Sequence, residues 1–221
     1  MQKSYLNKMS LLMSLFVFFS FVALSQIKHI EVSHYLFPEF KKGFVVMKTG
    51  EKNECMLNYN SLSEEMIFES KGKKLALYQF DLIDTVFVDG RKFFPLNKKF
   101  VELIYKSKFE LYVQHRCTVK DPGKPAPFGG TSQTSSTDTY SSFFSGGQVY
   151  ELQLPDGYQT RPFVEYLIKK DGDLDKALSM KQLSNQFRDK ADLFKEYVKK
   201  HDVKFNNQES IVELIRFLEK N

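Results

Sequence analysis

Four histidines and two cysteines are the residues of this 221-residue chain whose types could carry nucleophilic or metal chemistry, and their spacing argues against both. His29 and His34 stand in His-Ile-Glu-Val-Ser-His, one residue longer than the His-Glu-x-x-His zinc pattern that puts two rings on one helical face. On a strand, a separation of five points the two rings to opposite faces. His115 lies two residues before Cys117, and strand alternation puts both on one face with Leu111 and Val113. A Cys-His nucleophile pair so close in sequence does not reach working geometry, so a buried structural role is expected for His115. His201 follows Lys199 and Lys200 and suits the negative end of a helix.

The acidic run Asp171-Gly172-Asp173-Leu174-Asp175 invites a calcium reading. An EF-hand loop counted from Asp171 needs Gly at position 6 and Glu at position 12, and Lys176 and Gln182 stand there instead. A plain acidic turn is the expectation. There is no Gly-x-Ser-x-Gly elbow, phosphate-binding loop or Cys-x-x-Cys pair. The sequence therefore assigns no catalytic residue, no metal ligand and no cofactor. A pair of carboxylates meeting only in three dimensions stays open as a hydrolytic alternative.

The elements that would position such groups fall into four stretches. Residues 1–25 have the order of a secretory signal peptide: Lys3 and Lys8, an apolar run from Leu11 to Leu24, then Ala23-Leu24-Ser25 before Gln26. The run is about 14 residues, short of the roughly 20 that span a bilayer. Removing it takes the net charge from +5 to +3, too mild for a nucleic-acid binder. The expected location is outside the cytoplasm, periplasmic or secreted, with no membrane span afterwards.

Residues 26–120 read as an antiparallel β-domain of short strands separated by turns. The strongest hairpin is Thr85–Val88, Asp89-Gly90, Arg91–Phe94, because Asp-Gly suits a type I′ turn. Phe100–Tyr105 and Phe109–Val113 form a second. So many consecutive hairpins predict a meander that curls into a sandwich or partly open barrel. Cys55 and Cys117 both fall on core-facing positions of predicted strands. In an oxidising compartment they could close a loop of about 60 residues, contributing on the order of 4 kcal/mol, or stay as two separate buried thiols.

Residues 121–148 change character to Pro, Gly, Ser and Thr, with Tyr140, Phe143 and Phe144 as isolated aromatics. Aromatics among small polar residues are the composition of an adaptable binding loop, which makes these three the candidate partner-binding residues. The competing expectation is that the rings pin the loop to the β-domain. Residues 149–221 open with a strand at Tyr150–Leu154 and another at Phe163–Ile168, then turn helical. Three short helices are expected: one capped by Ser179, one by Asp189, and one opened by Asn206 with Glu209 and striped by Ile211, Leu214, Ile215 and Leu218. The fold class is thus α+β.

The strand run LNYNSLSEEMIFE…LALYQFDLIDTVFVDGRKFFPLNKKFVELI, the loop GGTSQTSSTDTYSS and the tail FKEYVKKHDVKFNNQESIVELIRFLEKN resemble those of a family of exported Bacteroidota proteins without an assigned activity. The resemblance implies a Gram-negative envelope setting and carries over no functional residue. With no chemistry to assign, the expectation is a non-catalytic exported protein binding an envelope protein, peptide or glycan. A hydrolase acting on envelope material and a structural component of an assembly are the alternatives.

Overall fold

Strand-forming residues separated by tight turns build most of the molecule. The computed structural model describes residues 34–120, 124–125, 131–132, 159–170 and 172–221. The strands are β1 Lys41–Met47, β2 Lys52–Asn60, β3 Glu65–Ser70, β4 Lys73–Ala76, β5 Ile83–Val88, β6 Arg91–Leu96, β7 Lys99–Lys106, β8 Glu110–Lys120, β9 Lys124–Pro125, β10 Thr131–Ser132, β11 Gln159–Lys170 and β12 Asp173–Ala177. Ten of them form one antiparallel sheet in the order β12-β11-β8-β7-β6-β5-β1-β2-β3-β4, and β9 pairs with β10. The fold is α+β, as the sequence predicts.

The Asp89-Gly90 turn joins β5 to β6 with φ of 51° and 74°, positive at both central positions as a type I′ turn requires. Gly43 serves a close approach instead. A Cβ there would lie 2.2 Å from the Phe87 carbonyl oxygen, so only glycine lets β1 meet β5 at this point.

The sheet curls until the end of β2 reaches the start of β7. The Tyr59 hydroxyl donates to the carbonyls of Phe100 (3.2 Å) and His115 (3.1 Å) across the interior. The inner face is filled by Val45, Leu57, Tyr59, Met66, Val86, Val88, Phe93 and Phe100. Before β1, the Asn58 side chain takes the place of a strand neighbour: Oδ1 accepts from the Phe37 amide and Nδ2 donates to the Phe37 carbonyl.

The same inner face of β8 continues into a second core. Leu111 and Val113, with Val164, Tyr166 and Ile168 of β11, pack under α1 (Met180–Asn185), α2 (Ala191–His201) and α3 (Gln208–Lys220). Four aliphatic side chains of α3 are buried: Ile211, Leu214, Ile215 and Leu218. At about 1.5–3 kcal/mol each, their burial outweighs the few tenths that helix propensity supplies per residue. Packing therefore holds this helix.

Local capping differs in places from expectation. Ser179 caps α1, accepting from the Gln182 amide, as predicted. Asp189 does not cap α2; it lies inside a 3₁₀ turn, Arg188–Lys190, and Lys190 takes the cap position without a side-chain bond. Asn207 rather than Asn206 caps α3, accepting from the Ser210 amide. Asp173 to Asp175, read as part of an acidic turn, belong to strand β12, held by its ladder with β11 from Tyr166↔Ala177 to Lys170↔Asp173. The expected strand at Tyr150–Leu154 lies outside the described residues.

Candidate ligand cleft

The residues of the first cleft come from strands that only the tertiary fold brings together. Val45 and Met47 (β1), Cys55 (β2), Phe68 (β3), Leu77 and Ile83 (flanking the β4–β5 loop) line an open cleft of about 440 Å³ at one end of the curled sheet. That volume is within the range of small-ligand and peptide pockets. Asn53, Ser70 and Gln79 add neutral polar groups, and Tyr78, 68% exposed, stands at the mouth. Glu54 and Glu69 also border it. Register pairs Glu54 with Phe44 and Glu69 with Met56, so alternation puts both carboxylates on the opposite face of the sheet. What faces the cleft is uncharged and mostly apolar.

The Cys55 thiol is half-buried here, and burial raises its pKa above the ordinary thiol value, leaving it protonated at neutral pH. Cys117 is buried on β8, its thiol also pushed up by burial. Both are free thiols. Tyr140, Phe143 and Phe144 lie outside the described residues.

A second cleft, about 450 Å³, lies between β6–β7 and α3. At its floor Arg91 grips Glu102 through both carboxylate oxygens, with Nε 2.6 Å from Oε1 and Nη2 on Oε2. Behind it, His115 Nε2 is 2.6 Å from Glu102 Oε2 and 2.9 Å from Arg91 Nη2. An ionised carboxylate only accepts, so the short contact to Glu102 assigns the proton to Nε2, and the approach of Arg91 Nη2, itself a donor, is then a contact and not a hydrogen bond. Burial, with Arg91 adding, holds the His115 pKa below its ordinary value despite Glu102, and the ring is neutral at neutral pH. Burial alone would raise the Glu102 pKa, but hydrogen bonds from Arg91 and His115 bring it below the usual carboxylate range. Arg91 also lies over the rings of Phe37 (5.4 Å) and Phe93 (5.7 Å).

A third polar group closes the sheet. Glu64, in the β2–β3 turn, is 3% exposed and binds Lys99, Gln114 and Arg116 (3.3 Å). Arg116 continues to Glu165 (2.8 Å), which also meets Lys176 (2.5 Å). Among the described residues, no three His, Cys, Asp or Glu side chains gather as a metal site. None of the helices described is long and apolar enough to cross a membrane.

His34, whose ring nitrogens have no hydrogen-bond partner, is buried beside Tyr35. Burial, with Lys74 adding, lowers its pKa from 6.5 to about 4. The unfolded chain therefore takes up this proton near pH 6.5 and the folded one only near pH 4. Stability is full above pH 6.5 and falls as the pH drops through that window, by about 3 kcal/mol for this group. Urea titrations between pH 7 and pH 4 should show a steep loss that His34→Leu flattens. An unchanged slope in that variant would remove His34 from the account.

Sequence reasoning had no signal for the first cleft, whose lining spans residues 45–83 with no local motif. The second had one: Glu102 is a lone charge inside the apolar run Phe100-Val101-Glu102-Leu103-Ile104. No protein family, curated protein or solved structure matches the chain.

Proposed function

We propose that this chain is an exported, non-catalytic binding protein that seats an apolar side chain of a peptide or protein segment in the cleft between Val45, Cys55, Phe68 and Leu77. The observation that carries this reading is an open cleft whose facing groups are apolar or neutral. Such a lining rewards burial of a hydrocarbon group by about 25 cal/mol per Å². It offers a glycan few of the hydrogen bonds that its hydroxyls would lose.

A hydrolase acting on envelope material is the second reading, and the His115–Glu102 pair is what favours it. Both oxygens of Glu102 are already bound and His115 is 5% exposed, so neither presents a free base to a substrate.

The test uses protein recovered after export in a Gram-negative host, labelled with ¹⁵N. Titration with acetyl-Ala-Leu-Ala-amide should shift the amides of Met47, Cys55, Phe68 and Ile83, while acetyl-Ala-Asp-Ala-amide and chitobiose leave them in place. Leu77→Asp should weaken the response about tenfold, the penalty of a carboxylate at an apolar contact. Equal shifts with the Asp peptide or the sugar, or shifts confined to other residues, would defeat the assignment. Cleavage of a probe would favour the hydrolase.

A further inference from the structure

Among the described residues, the ten-stranded sheet ends in two strands, β4 and β12, each paired on one side. A terminal strand presents a row of backbone donors and acceptors to solvent. At one end, Lys71 and Lys73 are exposed, while Lys74 lies over the rings of Tyr35 (5.7 Å) and Phe40 (4.9 Å). At the other, Asp173 and Asp175 are exposed, and Lys176 is held by Glu165. No ion pair among the described residues involves Lys71, Lys73, Asp173 or Asp175. One edge is basic and the other acidic: Asp173 and Asp175 alternate onto the same side of β12, while Lys73 opens β4 and Lys71 stands in the turn just before it.

Exposed apolar side chains follow the same division. Among the described residues, the large ones are Tyr78 (68%), Leu82 (54%), Leu174 (39%) and Leu178 (50%). Tyr78 and Leu82 follow β4; Leu174 is in β12 and Leu178 directly follows it. In both stretches the charged pair comes first and an apolar residue after it.

We propose that β4 of one copy of this chain adds alongside β12 of another, running in the same direction. Lys73 then faces Asp173, and Tyr78 comes up against Leu178 in the same register, with Lys71 beyond the end of the pairing. Because the two edges are different surfaces, each joined copy leaves one of each kind free, and the assembly extends head to tail. The contact is small, four residues against five. Its area falls short of a standard protein interface, so association is weak and appears only at high concentration. Tyr78 also stands at the mouth of the cleft, so the two surfaces adjoin, but their probes and readouts are separate and each proposal fails on its own result.

The experiment is sedimentation velocity of the exported protein from roughly 10 µM to roughly 1 mM, a range matched to weak association. At low ionic strength the mean mass should rise continuously past the dimer, and about 0.5 M salt should suppress it. The Lys71→Glu/Lys73→Glu variant and the Asp173→Lys/Asp175→Lys variant should each associate at least about tenfold more weakly, with like charges now opposed. Mixed in equal amounts they should recover the wild-type behaviour, because each edge again meets its opposite. All four positions are exposed, so circular dichroism should show both variants folded. A wild type that stays monomeric at the highest concentration overturns the proposal; the lysines would then merely guard the edge. So does association that the charge reversals leave unchanged, or a mixture that stays monomeric.

Discussion

Replacing Glu102 by leucine should cost about 3–5 kcal/mol of folding stability, read from urea unfolding at pH 7. The carboxylate accepts from Arg91 at both oxygens and from His115 at one, and both Glu102 and His115 are 5% exposed. Removing it leaves the guanidinium against the rings of Phe37 and Phe93, with no anion and restricted access to water. The His115 Nε2–H loses its acceptor at the same time. A charge stranded in this way costs more than the intact pair was worth, since the pair had already offset its own desolvation. The double variant Arg91→Met/Glu102→Leu, which strands no charge, should therefore be more stable than Glu102→Leu alone. A single-variant loss below about 1 kcal/mol would mean that Arg91 swings out to solvent. A double variant no better than the single would mean that the cost lies in packing.

This cluster shows where sequence reading ends. Strand alternation places Cys117 and His115 on the face of Leu111 and Val113, and the ladder confirms that parity. The partners of His115 are 24 residues away at Arg91 and 13 away at Glu102, and nothing local marks the three as neighbours. They meet because β6, β7 and β8 are consecutive hairpin strands in which Glu102 is level with Phe93 and Val113, so Arg91 and His115, each two residues from those partners, lie diagonally beside it on the same face. The Asp89-Gly90 hairpin was legible because two residues set its geometry by themselves. β12 was not, because Asp-Leu-Asp-Lys-Ala has poor strand propensity and is extended only through its pairing with β11. The caps of α2 and α3 moved by one residue for the same reason. Packing of the helices on β8 and β11 decides where each one begins, and nearby polar side chains then serve or do not. The cleft is still further from local pattern, since its walls are ordinary core positions that the curl of the sheet leaves uncovered.

The closure that produces this curl rests on Glu64, and Glu64→Ala should lower stability by about 3 kcal/mol, the lower end of the cost of breaking a buried pair. Its side chain is 4% exposed, while Lys99 and Arg116 are 42% and 37% exposed and recover some hydration once released. Arg116 also keeps Glu165 (2.8 Å). Glu64 does more than pair charge. Its carbonyl accepts from the Phe100 amide (3.3 Å), so the β2–β3 turn is bonded to the start of β7 through both backbone and side chain. Its φ is +62°, a left-handed conformation that costs a residue with a Cβ roughly 1 kcal/mol. Alanine keeps that cost and loses the carboxylate, whereas glycine loses the carboxylate and is relieved of the strain. Glu64→Gly should accordingly be about 1 kcal/mol more stable than Glu64→Ala, although still less stable than the natural chain. That ordering separates the two contributions, because a residue kept only for its turn geometry would make glycine the most stable of the three. Hydrogen exchange locates the effect: amides of β7 near Phe100 should lose protection in both variants, while those under α3 keep theirs. Protection lost equally in the helical core would show that the sheet and the helices unfold as one unit, and that Glu64 holds the whole molecule rather than its closure.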